Sequence, residues 1–199
     1  MIKIISAVLV AILSTFAVAD DATVRTIMST NKGDIEIDLY VEKAPVSAAN
    51  FLRLVDGGHL DGGMFYRVVN YANDKGSPKI EVIQGGLNEE EGPFPPIEHE
   101  TTEQSGILHT DGVISMARGD VGTATTEFFI VIGDQPALDY GEVRNPDEQG
   151  FAAFGKVISG MDVVRAINAS PADGPSDSDY TKGQILTEPV AIFGVKRAQ

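Results

Sequence analysis

Along this chain, short stretches of alternating apolar and polar residues are separated by clusters of Gly, Asn and Asp. Residues 24–28 and 34–40 are the first pair. In the second, Ile35, Ile37 and Leu39 alternate with Glu36 and Asp38, the period of two that turns one face of a strand inward. Thr30-Asn31-Lys32-Gly33 between them supplies turn residues, so the pair predicts a hairpin. The period then changes. After Pro45, which suits a first helical turn, Val46, Ala49, Phe51, Leu52 and Val55 form a helical stripe that Gly57-Gly58 stops. Strands are predicted at residues 64–69, 80–83, 113–117, 128–132, 152–157 and 189–195, each a short apolar or alternating run. A second helix is predicted over 161–168, where Met161, Val164 and Ile167 share a face.

Eight mostly consecutive strands and two helices lack the strand–helix alternation of a parallel sheet. They predict a mainly β fold, a closed eight-stranded antiparallel β-barrel capped by two α-helices. Segments 71–79, 88–110 and 134–150 are too polar for core, and loops of that length in a compact domain tend to carry function.

The N-terminus follows neither period. MIKIISAVLVAILSTFAVAD has one early cation, Lys3, an uncharged apolar run over 4–18, and small residues at Ala17 and Ala19. This is the pattern of a secretory signal peptide cleaved after Ala19. A membrane anchor or buried helix is the alternative, but the run is shorter than the ~20 residues that span a bilayer. The expected organisation is a signal peptide over 1–19 and one domain over 20–199.

Composition narrows the chemistry. Of 199 residues, 15 are Lys or Arg and 29 are Asp or Glu, a formal charge of −14 with the cations scattered. Such a surface repels phosphate backbones and anionic lipid, so no nucleic acid or membrane partner is expected once the leader is removed. Zero cysteines exclude disulfides, thiolate metal sites and thiol catalysis. An exported chain without disulfides must be held by its core, and ~180 residues bury roughly 70% of the unfolded surface, which is enough. There is no G-x-x-x-x-G-K-[ST], no G-x-G-x-x-G and no G-x-S-x-G. His59, His99 and His109 stand apart in loop-like contexts and read as solvated or capping groups. Glu89-Glu90-Glu91 reads as a solvated face. Asp173, Asp177 and Asp179 lack the Gly and distal Glu of a calcium loop. The expected chemistry uses no cofactor, no metal and no strong nucleophile.

Four segments exceed what patterning explains: Phe65-Tyr66-Arg67-Val68-Val69, Val82-Ile83-Gln84-Gly85-Gly86, Gly112-Val113-Ile114-Ser115-Met116-Ala117-Arg118 and Glu127-Phe128-Phe129-Ile130. Their order and spacing resemble the cyclophilin family of peptidyl-prolyl cis–trans isomerases. Gly150-Phe151-Ala152-Ala153-Phe154-Gly155-Lys156-Val157 and Gly160-Met161-Asp162-Val163-Val164 extend the resemblance over the whole mature chain. It implies the same capped barrel, and a monomeric bacterial isomerase that assists folding of exported proteins, most naturally in the periplasm, with proline-containing polypeptides as partners.

The resemblance also implies roles. Arg67 takes the position of the catalytic arginine, and Gln84 that of the glutamine which bonds the substrate and helps hold the arginine. Phe129 and Leu138, with Met116 beneath, line the proline pocket, and Ala117 and Arg118 run beside the peptide backbone. Glu127 and Phe151 stand at substrate-groove positions where the family carries glutamine and, in many members, histidine. From the residues alone, Phe128, Phe129 and Met116 would be core in any barrel. Arg67 could form a surface ion pair, and period two places it on the face opposite Tyr66 and Val68.

Other departures bear on the groove. Glu81 and Val82 occupy positions where the family carries phenylalanine and methionine, after the insert 70–79, so Glu81 is expected to neutralise Arg67 in part if it enters the groove. Arg118 replaces an asparagine. Ala137 replaces a tryptophan, which implies weak binding of the cyclic peptide cyclosporin. Two other functions stay open at this point: a proline-peptide binding module without turnover, which Glu81 favours, and an acidic structural barrel that presents loops to a partner.

Overall fold

A computed structural model describes residues 23–87 and 92–198; the expected signal peptide and Glu89-Glu90-Glu91 lie outside them. β1 (Thr23–Thr30) and β2 (Gly33–Tyr40) form the predicted hairpin, with Thr30 opposite Gly33 across a two-residue turn. Gly33 sits at φ +132°, a backbone conformation open chiefly to glycine, which is why the turn closes there. The remaining strands are β3 (Met64–Val69), β4 (Val82–Gly86), β5 (Val113–Met116), β6 (Phe128–Val131), β7 (Ala152–Ser159) and β8 (Ile185–Arg197). They close in the order β1-β2-β7-β5-β6-β4-β3-β8, every described pair antiparallel. The inward positions of each strand, Ile35, Ile37 and Leu39 on β2 for example, are fully buried.

α1 (Pro45–Asp56) and α3 (Met161–Asn168) take the predicted bounds and pack on the barrel. Phe51 of α1 meets Phe128 edge-on with ring centroids 5.6 Å apart and lies 5.3 Å from Phe154, an aromatic knot that seats the helix. Asn168 of α3 donates from Nδ2 to the carbonyls of Val69 (3.0 Å) and Val82 (3.1 Å), tying that helix to the ends of β3 and β4.

Four expectations are corrected. A third helix, α2 (Thr102–Ser105), lies in the polar stretch 88–110. Four residues carry no apolar stripe, so periodicity could not reveal it. Its signal is the capping box, in which the Thr101 hydroxyl accepts from the Gln104 N–H (3.2 Å) and Gln104 Oε1 accepts from the Thr101 N–H (2.8 Å). The polar segments also enter the core, since Asp74, His109, Gln135 and Asp139 are buried with their polar groups bonded. Finally, β4 runs over 82–86 rather than 80–83, because the Ile80 N–H goes to Asp74 Oδ2 (2.8 Å) while Gly85 and Gly86 pair with β3. β8 is longer than the predicted 189–195 because its first half pairs with β3 and its second with β1, which closes the barrel.

Candidate active site

The site begins at a defect in a strand. Phe65 lies opposite Gly85 and Arg67 opposite Gln84, so Tyr66 is one residue too many for β4. The bulge breaks the alternation that placed Tyr66 and Arg67 on opposite faces. Phe65 and Val68 point into the core, while the side chains of both Tyr66 and Arg67 reach Gln84.

Arg67 donates from Nη1 to Gln84 Oε1 (2.9 Å) and from Nε and Nη2 to Gln184 Oε1 (3.0 and 2.6 Å). All three bonds end on two neutral amide oxygens. A guanidinium has five N–H groups, so one on each terminal nitrogen is left for a ligand. Burial pushes its pKa below the ordinary arginine value, a shift opposed by Tyr180 and Tyr66 and reinforced by Arg144. It nonetheless stays a cation at neutral pH. The surface ion pair, the alternative reading of Arg67, does not form among the described residues.

A directional chain fixes Gln84. The Glu127 carboxylate can only accept, so Tyr66 donates its hydroxyl proton to Oε2 at 2.6 Å. The Tyr66 oxygen then accepts from Gln84 Nε2 at 2.7 Å, which leaves the Gln84 oxygen turned to Arg67. Burial, and next the charge of Glu127, push the Tyr66 pKa far up, so the phenol keeps its proton. Glu127 ends this relay and does not line the cleft.

Beside Arg67 lies a cleft of about 260 Å³ whose walls include Gln84, Ala117, Arg118, Phe129, Leu138 and Phe151. Met116, 1% exposed, lies in the core and outside the lining. Phe129 is fixed from two sides. Phe151 meets it edge-on at 5.2 Å, and His109 stacks on it at 5.9 Å. His109 is buried rather than solvated, which corrects its sequence reading. Its Nδ1 lies 2.7 Å from Asp139 Oδ1, an acceptor, so Nδ1 carries the proton and Nε2 accepts from the Ser115 hydroxyl at 3.1 Å. Ser115 is fully buried, so this Ser–His–Asp arrangement is a support for the cleft floor and not a nucleophile.

Glu81 does not enter the cleft. Val82 and Gln84, two apart on β4, face it together with Ile80, and Glu81 is not among the charges acting on Arg67. The Glu81 carbonyl accepts from the Ile132 N–H at 3.0 Å. The missing aromatic is replaced by Val69, Ile80 and Tyr180. Arg118 points its head at the loop 139–150, donating to the Gly150 carbonyl (3.0 and 2.6 Å) and to both oxygens of Asp147 (2.8 and 2.9 Å). That hydrogen bonding holds the Asp147 carboxyl down at about 2.

Sequence reasoning missed Gln184, Tyr66, Tyr180, Arg144 and Asp74. Gln184 is fully buried, and its Nε2 donates to the Asn73 carbonyl at 3.0 Å, so the insert 70–79 sets the amide that grips Arg67. Arg144 donates to both oxygens of Asp74 (2.7 and 2.9 Å). Burial raises the Asp74 pKa, but Arg144 and the N–H groups of Gly76 and Ile80 outweigh it, and the net shift is downward. The buried Asp74–Arg144 pair joins residues 70 apart, which no local pattern could show.

Comparison with known proteins identifies the family and the fold. Residues 25–192 match the sequence model of the family described as cyclophilin type peptidyl-prolyl cis-trans isomerase/CLD. The chain is 36% identical over 206 residues to a peptidyl-prolyl cis-trans isomerase A of Dickeya dadantii, with 98% of each chain covered. It is 35% identical over 173 residues to a peptidyl-prolyl cis-trans isomerase of Acinetobacter baylyi, covering 85% of this chain and 82% of that one. Among solved structures, a cyclophilin-type isomerase of Cryptosporidium parvum superposes with a TM-score of 0.67 at 21% identity, covering 89% of this chain and 99% of that one, a likeness of fold. A second structure of that protein, determined in the presence of the dipeptide Ala-Pro, superposes with a TM-score of 0.66 at 21% identity, covering 88% and 99%.

Proposed function

The chain belongs to the family of cyclophilin-type peptidyl-prolyl cis–trans isomerases, and from that premise we propose that Arg67 is the catalytic residue and the Phe129 cleft the seat of the substrate proline. The single observation that carries this is a half-buried guanidinium bonded to neutral amide oxygens beside an apolar cleft. Rotation of an X–Pro bond is slow, with a barrier of about 18–20 kcal/mol, because the amide nitrogen shares its lone pair with the carbonyl. At the twisted transition state that sharing is broken and the nitrogen becomes a hydrogen-bond acceptor. A fixed cationic donor stabilises this state over both planar ones, which is the differential binding that accelerates a reaction. No bond forms or breaks, so no nucleophile is needed.

Each other group has a place in this scheme. Phe129, Leu138 and Phe151 take the ring, and Gln84 holds Arg67 while facing the peptide. Ala117 and the Arg118 backbone run beside the extended substrate. Met116 and Glu127 support from behind, the first in the core opposite Phe128 and the second through Tyr66. The substrates are proline-containing polypeptides. The protein acts as a monomer, a reading supported by a barrel that closes on itself and offers no long free edge for strand pairing. The leader over 1–19 supports export, with work on folding proteins in the periplasm, and the family match begins downstream of it at residue 25.

A protease-coupled or exchange-NMR assay on a short X–Pro peptide tests the role of Arg67. The wild type accelerates exchange, and Arg67→Ala lowers kcat/KM by about 100-fold or more, the loss typical of a removed transition-state donor. An Arg67→Ala protein as active as the wild type would remove Arg67 from the mechanism.

A further inference from the structure

We propose that Tyr180 is a positioning residue for Arg67, an aromatic strap that holds the guanidinium at the rim of the cleft. The proposal rests on Arg67 being the catalytic group. The Tyr180 ring lies over Arg67, with the guanidinium carbon 5.7 Å from its centroid, within the range of a cation–π contact. Its hydroxyl accepts from Arg144 Nη2 at 3.0 Å. Arg144 is itself anchored, since its side chain is 6% exposed and ion-paired with the fully buried side chain of Asp74, and its Nη1 donates to the Pro78 carbonyl at 2.6 Å. Backbone anchors complete the hold. The Tyr180 N–H donates to Ser178 Oγ at 3.2 Å, and the Lys75 ammonium donates to the Asp179 carbonyl. Gln84 and Gln184 grip the guanidinium by its edges, and the Tyr180 ring stands over its face. Three separate segments, 70–79, 139–150 and 174–184, therefore converge on one ring, and that ring also lines the cleft. Yet Tyr180 is 47% exposed and contributes nothing to the barrel core, so a purely architectural reason for this anchoring is missing.

The experiment is a double-mutant cycle on the full chain with exchange-NMR rates on a short X–Pro peptide. Tyr180→Ala lowers kcat by about tenfold and, because the ring also walls the cleft, raises KM as well. Tyr180→Phe keeps the ring but loses the bond from Arg144, so it falls between the wild type and Tyr180→Ala in kcat with KM little changed. In the Arg67→Ala background, Tyr180→Ala has no further effect on kcat, because the group it positions is gone. The Arg67 Nε–H resonance, identified by its loss in Arg67→Ala, exchanges faster with water in Tyr180→Ala. Unchanged kcat in Tyr180→Ala, or an equal loss with and without Arg67, would overturn the proposal. Full activity in Arg67→Ala alone would instead overturn the reading on which it rests.

Discussion

Holding a half-buried cation without a counter-ion is unfavourable, because its lost hydration is not repaid by an opposite charge. Arg67 meets that cost with two glutamine amides, and the reason is chemical. A carboxylate at the same distance would pair with the guanidinium and quench the field that a twisted nitrogen must feel. Gln184→Glu tests this at a single atom. The variant pairs with Arg67 but loses the N–H that bonds the Asn73 carbonyl, so it is expected to fold no better than the wild type in thermal unfolding, and to lose about tenfold or more in exchange rate. An unchanged rate would show that neutral partners are irrelevant. At this scale the sequence was informative only where chemistry and neighbours in the chain coincided. Arg67, Gln84 and Phe129 stand inside short recognisable segments, whereas Gln184 meets Arg67 from 117 residues away and Tyr180 sits in a stretch of Asp and Ser that reads as loop.

Among elements, the β3 bulge decides which residues share a face. Period two alone put Tyr66 opposite Arg67; the extra residue brings both to Gln84. The signal was Gly85, whose meaning appears only once β3 is laid against it. A Cβ there would stand 2.7 Å from the Met64 carbonyl oxygen and 3.2 Å from the Phe65 Cα, both backbone atoms that cannot swing away. Gly85→Ala must push β3 aside. It is expected to cost about 1–3 kcal/mol in chemical denaturation, as overpacked sites do, and to lower the exchange rate in the same protein. Wild-type stability and rate together would mean that the bulge does not depend on this close approach. The strands and the two longer helices were legible because each buries one face and leaves a period in the sequence. α2 and the insert were not, because their order comes from capping and from the Asp74 carboxylate.

The molecule as a whole sets a charge contrast. Its formal charge is −14, yet Arg67, Arg118 and Arg144 all line one cleft. Asp147 and Asp74 answer two of them, and the third is left for the substrate. The fold class follows from the strand count in the sequence, and closure follows from β8, which pairs with both β3 and β1. The proposed export adds a prediction at this scale: protein recovered from the periplasm of a bacterial host begins at Asp20 by intact-mass measurement. Recovery with Met1 retained, in the membrane fraction, would instead identify the leader as an anchor. The measurement that bears most directly on the central claim separates holding a peptide from turning its bond. For Arg67→Ala, the dissociation constant of a short X–Pro peptide and its exchange rate at saturation are determined on the same sample. The account predicts binding within about tenfold of wild type and an exchange rate reduced about 100-fold or more; binding and rate falling in parallel would contradict it.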